Sequence, residues 1–156
     1  MSETQWTDRD DAELHAESLP ITHPVRLVQA FIGALKSTDP EAADVLATLI
    51  TPESEADWAD YGAAREFANR PMRISLATRY DPEAPDVAYV KFAPDEGAWI
   101  SGKLDQDNVL AWATLVWRPE ISKWGPLACW RIHRIGPWAS ASELPRSVPG
   151  FDPQLL

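Results

Sequence analysis

The segment LACWRIHRIGPW (residues 127–138) decides the fold prediction, because its side chains alternate between two sets. Cys129, Arg131 and His133 form one set, and the bulky residues between them form the other. Gly-Pro pairs stand at 125–126 and at 136–137. Alternation over this length, bounded by turn signals, is typical of a β-strand. The strand predicts that Cys129, Arg131 and His133 point to the same face.

The strand also decides whether Cys129 and His133 could form a catalytic pair. Residues four apart on a strand are separated by about 13 Å, whereas a thiolate and an imidazole that react together must lie about 3 Å apart. The two residues therefore cannot act as a dyad. We expect Cys129, the single cysteine, to be a small buried residue. His133 is either a satisfied structural histidine or a functional one.

Before this strand, apolar residues spaced three and four apart predict three helices. Pro24, after a threonine (Thr22) that can cap, begins an amphipathic helix over 24–37. Asp39 caps a second helix, and Thr51 or Ser54 caps a third that stops at residue 71. The expected buried faces are Val25, Val28, Phe31, Ile32 and Leu35 on the first helix and Val45, Leu46, Leu49 and Ile50 on the second. On the third helix, Trp58, Tyr61, Arg65 and Ala68 share one side.

From residue 72 onward the period changes to two, which predicts strands. The predicted strands cover residues 72–80, 87–93, 99–104, 109–118 and 127–135, with a tight turn over 105–108. Three N-terminal helices followed by a mostly antiparallel five-stranded sheet indicate an α+β domain. The domain is predicted over 22–137, between an acidic N-terminal arm (1–21) and a Pro-rich C-terminal tail (138–156). The tail is expected to wrap the surface as coil.

The charge of the chain disfavours several classes of partner. Its formal net charge is −10, and no segment carries a dense basic stripe, so nucleic-acid binding and attachment to anionic membranes are not expected. The longest apolar run (109–117) is shorter than the about 20 residues that span a bilayer. With no signal-peptide pattern and one cysteine, we expect a cytoplasmic protein. The excess of acidic residues either keeps the protein soluble or makes it a mimic of DNA that binds a basic protein.

Eight tryptophans are the most unusual feature of the composition. Trp112 and Trp117 differ in parity on one predicted strand, so each sheet face carries an indole. Both faces should therefore be covered, one by helices and the other by a subunit, a tail or a ligand. The tryptophans could fill the core and a dimer interface, or they could line an aromatic pocket.

Metal and cofactor sites are not predicted. His15, His23 and His133 are far apart, and no cysteine or glutamate stands at ligand spacing from them. The sequence contains no phosphate-binding glycine motif and no Gly-x-Ser-x-Gly motif.

The helix that begins at Pro24, the two helices after it and the closing strand WRIHRIG (130–136) resemble the NTF2-like superfamily. This superfamily includes SnoaL-type cyclases, ketosteroid isomerases and limonene epoxide hydrolases, and the closing strand is similar to uncharacterised actinobacterial members. Over 22–137 the resemblance implies a cone-shaped fold, in which a curved sheet wraps the first helix and a pocket lies between sheet and helices. It also implies a homodimer. The catalytic residues do not carry over, because residues 24–37 hold no tyrosine and no Asp-Arg-Asp triad can be matched.

A pocket of this kind would take its polar and aromatic groups from the third helix and the sheet. The candidates are Asp57, Trp58, Tyr61, Tyr80, Tyr89, Trp112, Arg131 and His133. A buried Asp57 could act as a base, and His133 could donate or accept a proton. The sequence therefore indicates a domain that binds a small apolar ligand or, alternatively, a non-catalytic module for protein–protein interaction. It does not specify a reaction.

Overall fold

A computed structural model of the chain describes residues 19–20, 22–75, 78–94, 109–121 and 129–147. Their helices and strands are α1 (Pro24–Lys36), α2 (Ala42–Ala47), α3 (Glu55–Trp58), α4 (Gly62–Ala68), β1 (Met72–Ile74), β2 (Arg79–Asp81), β3 (Ala84–Pro94), β4 (Ala111–Trp117) and β5 (Trp130–Gly136). Outside the described residues lie most of the predicted acidic arm, the predicted strand over 99–104, the predicted turn over 105–108 and the end of the predicted tail (148–156).

Helix α1 confirms the predicted amphipathic helix and packs its apolar face into the core. Val25, Val28 and Phe31 are fully buried on this face. The prediction that Thr22 caps the helix is wrong. His23 is the N-cap, and its Nδ1 accepts a hydrogen bond of 3.1 Å from the backbone N–H of Val25. The ring nitrogen thus satisfies one of the free amide groups of the first turn.

Helix α2 is shorter than its apolar pattern predicts. It ends at Ala47, so the residues after it do not continue the helical phase. Leu46, Leu49 and Ile50 are buried as expected, whereas Val45 is 47% exposed and was wrongly placed in the core. Ile50 instead forms a parallel bridge with Ile132 of β5.

The predicted third helix is broken into two. A 3₁₀ turn (Pro52–Ser54) leads into α3, and a tight turn separates α3 from α4. In this turn Ala59 and Tyr61 have positive φ angles of 52° and 65°, and the Tyr61 N–H donates to the Trp58 carbonyl over 2.8 Å. At the start of α4, Oδ1 of Asp60 accepts a hydrogen bond of 2.9 Å from the Gly62 N–H.

The five strands of the described residues form an antiparallel sheet in the order β1-β3-β4-β5, with β2 also paired to β3. The predicted strand over 72–80 is therefore two short strands, both paired to β3. A two-residue turn joins β2 to β3, where Asp81 pairs with Ala84. The class is α+β, as the sequence predicts, but the five strands are not the five that were predicted.

One face of the sheet packs against the helices, and residues 138–147 cover part of the other face. On the helix side, Val90, Leu115 and Ile132 belong to the same core cluster as α1. On the opposite side, the Tyr89 hydroxyl donates to the Ala139 carbonyl over 2.8 Å. We call residues 138–147 the C-terminal segment. The described part of the tail thus supplies part of the covering that the tryptophan pattern predicts.

The C-terminal segment is held by charge as well as by rings. The guanidinium of Arg146 donates from Nη2 to Oδ1 of Asp86 over 2.6 Å, and the Asp86 side chain is only 1% exposed. Arg118 donates to the Pro145 carbonyl over 2.9 Å. Both contacts lie at the C-terminal end of the segment, and the Tyr89–Ala139 hydrogen bond holds its N-terminal end. In the described part of the chain, no helix has the length and apolar character needed to cross a membrane.

Candidate functional site

A cleft of about 650 Å³ lies where α3 and α4 meet the ends of β4 and β5 and the C-terminal segment. Its walls are mostly apolar, and its charged groups are few. The apolar wall residues include Trp58, Phe67, Leu110, Ile135 and Leu144, and the polar ones are Asp57, Arg70, His133, Arg134 and Glu143. Such a lining, with few polar groups among apolar ones, is typical of a small-molecule site.

His133 enters the cleft because β5 contains a bulge. Leu115 of β4 pairs with Ile132 and the preceding Thr114 pairs with Arg134, so His133 is the extra residue on β5. A bulge re-aims the side chain at its position. The bulge interrupts the strict alternation between Arg131 and His133, on which the prediction of a shared face with Cys129 and Arg131 rests.

Cys129 lies at 6% exposure in the helix-side core cluster, which confirms the expectation that it is a buried residue. Cys129 precedes the first residue of β5, so the direction of its side chain does not follow from the alternation along that strand. Within the described residues, no group of three or more His, Cys, Asp or Glu side chains is arranged to hold a metal ion.

The imidazole of His133 is anchored from behind by two buried hydroxyl groups. Its Nδ1 lies 2.7 Å from Oγ1 of Thr51, and Thr51 donates to Oγ of Ser54 over 2.8 Å. Ser54 in turn donates to the Thr51 carbonyl over 2.9 Å, and Nε1 of Trp58 donates to Ser54 over 2.9 Å. Thr51 and Ser54 are fully buried. This network links the cleft wall (Trp58) to the cleft base (His133).

Burial is the main influence on the charge of His133. It lowers the pKa of the imidazole below the usual 6.5, and the nearby Arg134 and Arg118 act in the same direction. The carboxylates of Glu53 and Asp57 act in the opposite direction. Because the net effect is a lowered pKa, the imidazole is neutral at pH 7 and can accept a hydrogen bond or a proton.

Asp57 does not have the buried position that a catalytic base was expected to have. It lies on the exposed side of α3 at the edge of the cleft, so the hypothesis of a buried Asp57 is wrong. Trp58 forms part of the wall, with its ring 5.2 Å from Phe31 and 6.2 Å from Tyr61. Tyr61 is buried behind Trp58, outside the cleft lining, and burial raises the pKa of its hydroxyl.

The other candidates lie elsewhere. Tyr80 packs its ring 6.3 Å from Trp130. Tyr89 and Trp112 are on the opposite sheet face, where both contact the ring of Trp138. Of the eight candidates, the structure brings Asp57, Trp58 and His133 together at this cleft.

Arg131 has a structural role in holding the sheet to the segment before α3. It is 4% exposed, and its guanidinium donates to the Ile50 carbonyl over 3.1 Å and to the Ile121 carbonyl over 2.8 Å. It also lines a second depression of about 620 Å³, together with Asp44, Glu55 and Glu120. Three carboxylates surround a guanidinium that already donates to two carbonyl groups, and this arrangement disfavours an anionic ligand there.

Sequence reasoning treated Thr51 and Ser54 only as alternative helix caps and did not consider Phe67, Arg70 or Leu110. The spacing Thr51-x-x-Ser54, followed four residues later by Trp58, is a local signal that could have indicated a shared hydrogen-bond network. Their link to His133 is long-range and leaves no local pattern. Searches against protein-family models, curated proteins and solved structures find no match to this chain.

Proposed function

We propose that this chain is an NTF2-like (SnoaL-like) α+β domain that binds a small, mainly apolar molecule in the cleft between α3, α4 and the sheet. One observation carries the proposal: an apolar cleft contains a half-buried histidine whose inner nitrogen is already anchored. A structural histidine needs no access to a cleft, whereas a ligand-binding histidine does.

The fold supports the family part of this proposal. Helix α1 contacts both β3 and β5, so a long amphipathic helix lies across the antiparallel sheet. The superfamily fold requires such a helix, together with a pocket beside it. A sheet that curves into a cone around α1, and a cytoplasmic location supported by the one buried cysteine, Cys129, are further parts of the proposal.

The edge of the cleft favours a ligand without net charge. Arg70 and Arg134 carry positive charge there, and Asp57 and Glu143 carry negative charge. The two signs balance, so an ionic ligand would gain little from the site as a whole. Binding energy would come mainly from apolar area that Trp58 and its neighbours remove from water.

Titration calorimetry with the neutral fluorophore N-phenyl-1-naphthylamine tests this proposal. Ala63 is exposed and lines the cleft, so Ala63→Trp should fill the cleft without disturbing the core. Ala43 is equally exposed but lies on α2, away from the cleft, and Ala43→Trp is the matched control. We expect 1:1 binding that Ala63→Trp weakens by about tenfold or more, about 1.4 kcal/mol. Equal binding by both variants would refute the cleft as the site.

The second candidate is a non-catalytic module that pairs two copies of this chain, and one observation favours it. Trp138 is 48% exposed although its ring stacks on Tyr89 with centroids 3.6 Å apart. An exposed indole at the end of a packed aromatic group is a common anchor of protein interfaces. Light scattering should then give the mass of a dimer for the native protein and the mass of a monomer for Trp138→Ser.

A further inference from the structure

We infer that His133 is the proton-accepting residue of the cleft: Thr51, Ser54 and Trp58 hold its imidazole as the Nδ1–H tautomer, which leaves the Nε2 lone pair for a weakly acidic hydroxyl group, a phenol or an enol, of the bound molecule. This inference rests on the proposed function and adds the chemical class of the ligand.

The tautomer follows from counting the hydrogens in the network. The Ser54 hydroxyl has one hydrogen, which it donates to the Thr51 carbonyl, so its oxygen accepts from Trp58 and from Thr51. The Thr51 hydroxyl also has one hydrogen, and that hydrogen goes to Ser54. Its oxygen can therefore only accept along the 2.7 Å contact with His133. With the hydrogens assigned in this way Nδ1 is the donor, and in a neutral imidazole Nε2 then carries the lone pair.

The position of the ring is held from both sides of β5. On one side the bulge opposite Thr114 and Leu115 presents His133 to the cleft. On the other side the Thr51 N–H donates to the Ile132 carbonyl over 3.0 Å, and the Ile132 N–H donates to the Leu49 carbonyl over 2.8 Å. The hydroxyl that anchors the ring is thus fixed to the strand that bears it. A rigid anchor of this kind is what orients an acid–base group.

The environment suits a proton acceptor that works at neutral pH. Burial keeps the pKa of His133 low, so the neutral imidazole is the main form at pH 7. In the transfer, the ligand O–H bond breaks and an N–H bond forms at Nε2. The bonding electron pair stays on the ligand oxygen, and His133 becomes an imidazolium. The carboxylates of Glu53 and Asp57 favour that charged form.

His23 provides an internal control with the opposite tautomer. Its Nδ1 accepts from the Val25 N–H over 3.1 Å, so the proton of the neutral ring must be on Nε2. Burial lowers the pKa of His23 as well. One protein thus carries two neutral histidines that should give opposite patterns in the same spectrum.

A long-range ¹H–¹⁵N correlation spectrum of the full chain at neutral pH reads both tautomers. We expect a protonated Nδ1 at His133 and a protonated Nε2 at His23. Thr51→Val removes the acceptor and should shift the His133 tautomer ratio toward Nε2–H by about fivefold or more, while Thr51→Ser should restore it. A native His133 with the proton on Nε2, or a ratio that Thr51→Val leaves unchanged, would overturn the inference.

Phenol and its methyl ether anisole, added separately, test the ligand class. We expect phenol to shift the Nε2 resonance of His133 and anisole, which has no O–H, to leave it nearly unchanged. Equal shifts from both probes would show that the cleft binds ligands but that Nε2 does not accept from a hydroxyl, which overturns the inference alone. No shift from either probe would overturn the proposed function and the inference with it.

Discussion

The Nδ1 atom of His133 lies 2.7 Å from Oγ1 of Thr51, although 82 positions separate the two residues in the chain. Backbone hydrogen bonds between residues 49–51 and Ile132 bring them together. The contact therefore joins the segment before α3 to the edge strand of the sheet, and it should contribute to stability as well as to the site.

Thr51→Val keeps the shape of this side chain and removes its hydroxyl group. Nδ1–H of His133 and Oγ of Ser54 would each lose a hydrogen bond in a buried place, which should lower the free energy of unfolding by about 1–3 kcal/mol. Urea unfolding measures the change. Thr48→Val is the matched control, because Thr48 is the C-cap of α2 and its hydroxyl donates to the Val45 carbonyl of that helix, away from the His133 network. It should change stability by less than about 0.5 kcal/mol, and equal losses would contradict the role of Thr51.

Stability should fall as the pH drops below about 6.5. Burial lowers the pKa of His133 and of His23 in the folded protein. Above pH 6.5 both rings are neutral in the folded and the unfolded chain, so the full stability is present. Below it the unfolded chain binds protons first, and stability is lost until the folded pKa is reached. The urea midpoint should fall between pH 7 and pH 5, and less steeply in His133→Gln. An unchanged slope in that variant would refute the contribution of His133.

Ala59→Gly should stabilise the protein by about 1 kcal/mol. Ala59 has φ 52° and ψ −119°, a conformation that a β-carbon disfavours and glycine adopts freely. Ala30→Gly is the control, because Ala30 is exposed in the middle of α1, where glycine costs about 1 kcal/mol. Thermal unfolding should separate the two variants in opposite directions. A loss of stability in Ala59→Gly would show that this turn is not strained.

Arg146→Leu should lower the free energy of unfolding by about 3 kcal/mol, because it leaves the buried carboxylate of Asp86 without its guanidinium. The double variant Asp86→Asn with Arg146→Leu should recover part of the loss, since the uncompensated charge is gone. Arg134→Leu, at an exposed position of β5, should change stability by less than about 0.5 kcal/mol. Guanidinium unfolding of the three variants checks this. A double variant no more stable than Arg146→Leu alone would contradict a charge effect.

The elements that could be predicted are those with a strong local pattern. The spacing of Val25, Val28 and Phe31 predicts α1, because three and four residues bring side chains to one face of a helix. The strands β3 and β4 follow from their β-branched and aromatic residues. The turn between α3 and α4 could not be predicted, because Ala59 and Tyr61 take positive φ angles that their own preferences oppose. The capping of Gly62 by Asp60 and the burial of Tyr61 outweigh those preferences.

The site could be predicted only in part, because some of its features have a local sequence pattern and others do not. The histidine of the closing strand is visible in the sequence, but its orientation depends on a bulge that has no glycine or proline to mark it. Thr51, the partner of His133, lies beside it because Ile50 and Ile132 form a parallel bridge. Contacts between distant segments arise from packing of the whole domain, and one sequence carries no local pattern for them.

Native mass spectrometry of the untagged protein, as purified from cells, tests the central claim most directly, because it weighs any molecule retained in the cleft. We predict additional, displaceable mass on the native protein and on Ala43→Trp, and a bare chain for Ala63→Trp, whose new side chain occupies the cleft. A native protein without retained mass, or mass that Ala63→Trp leaves in place, would contradict the account.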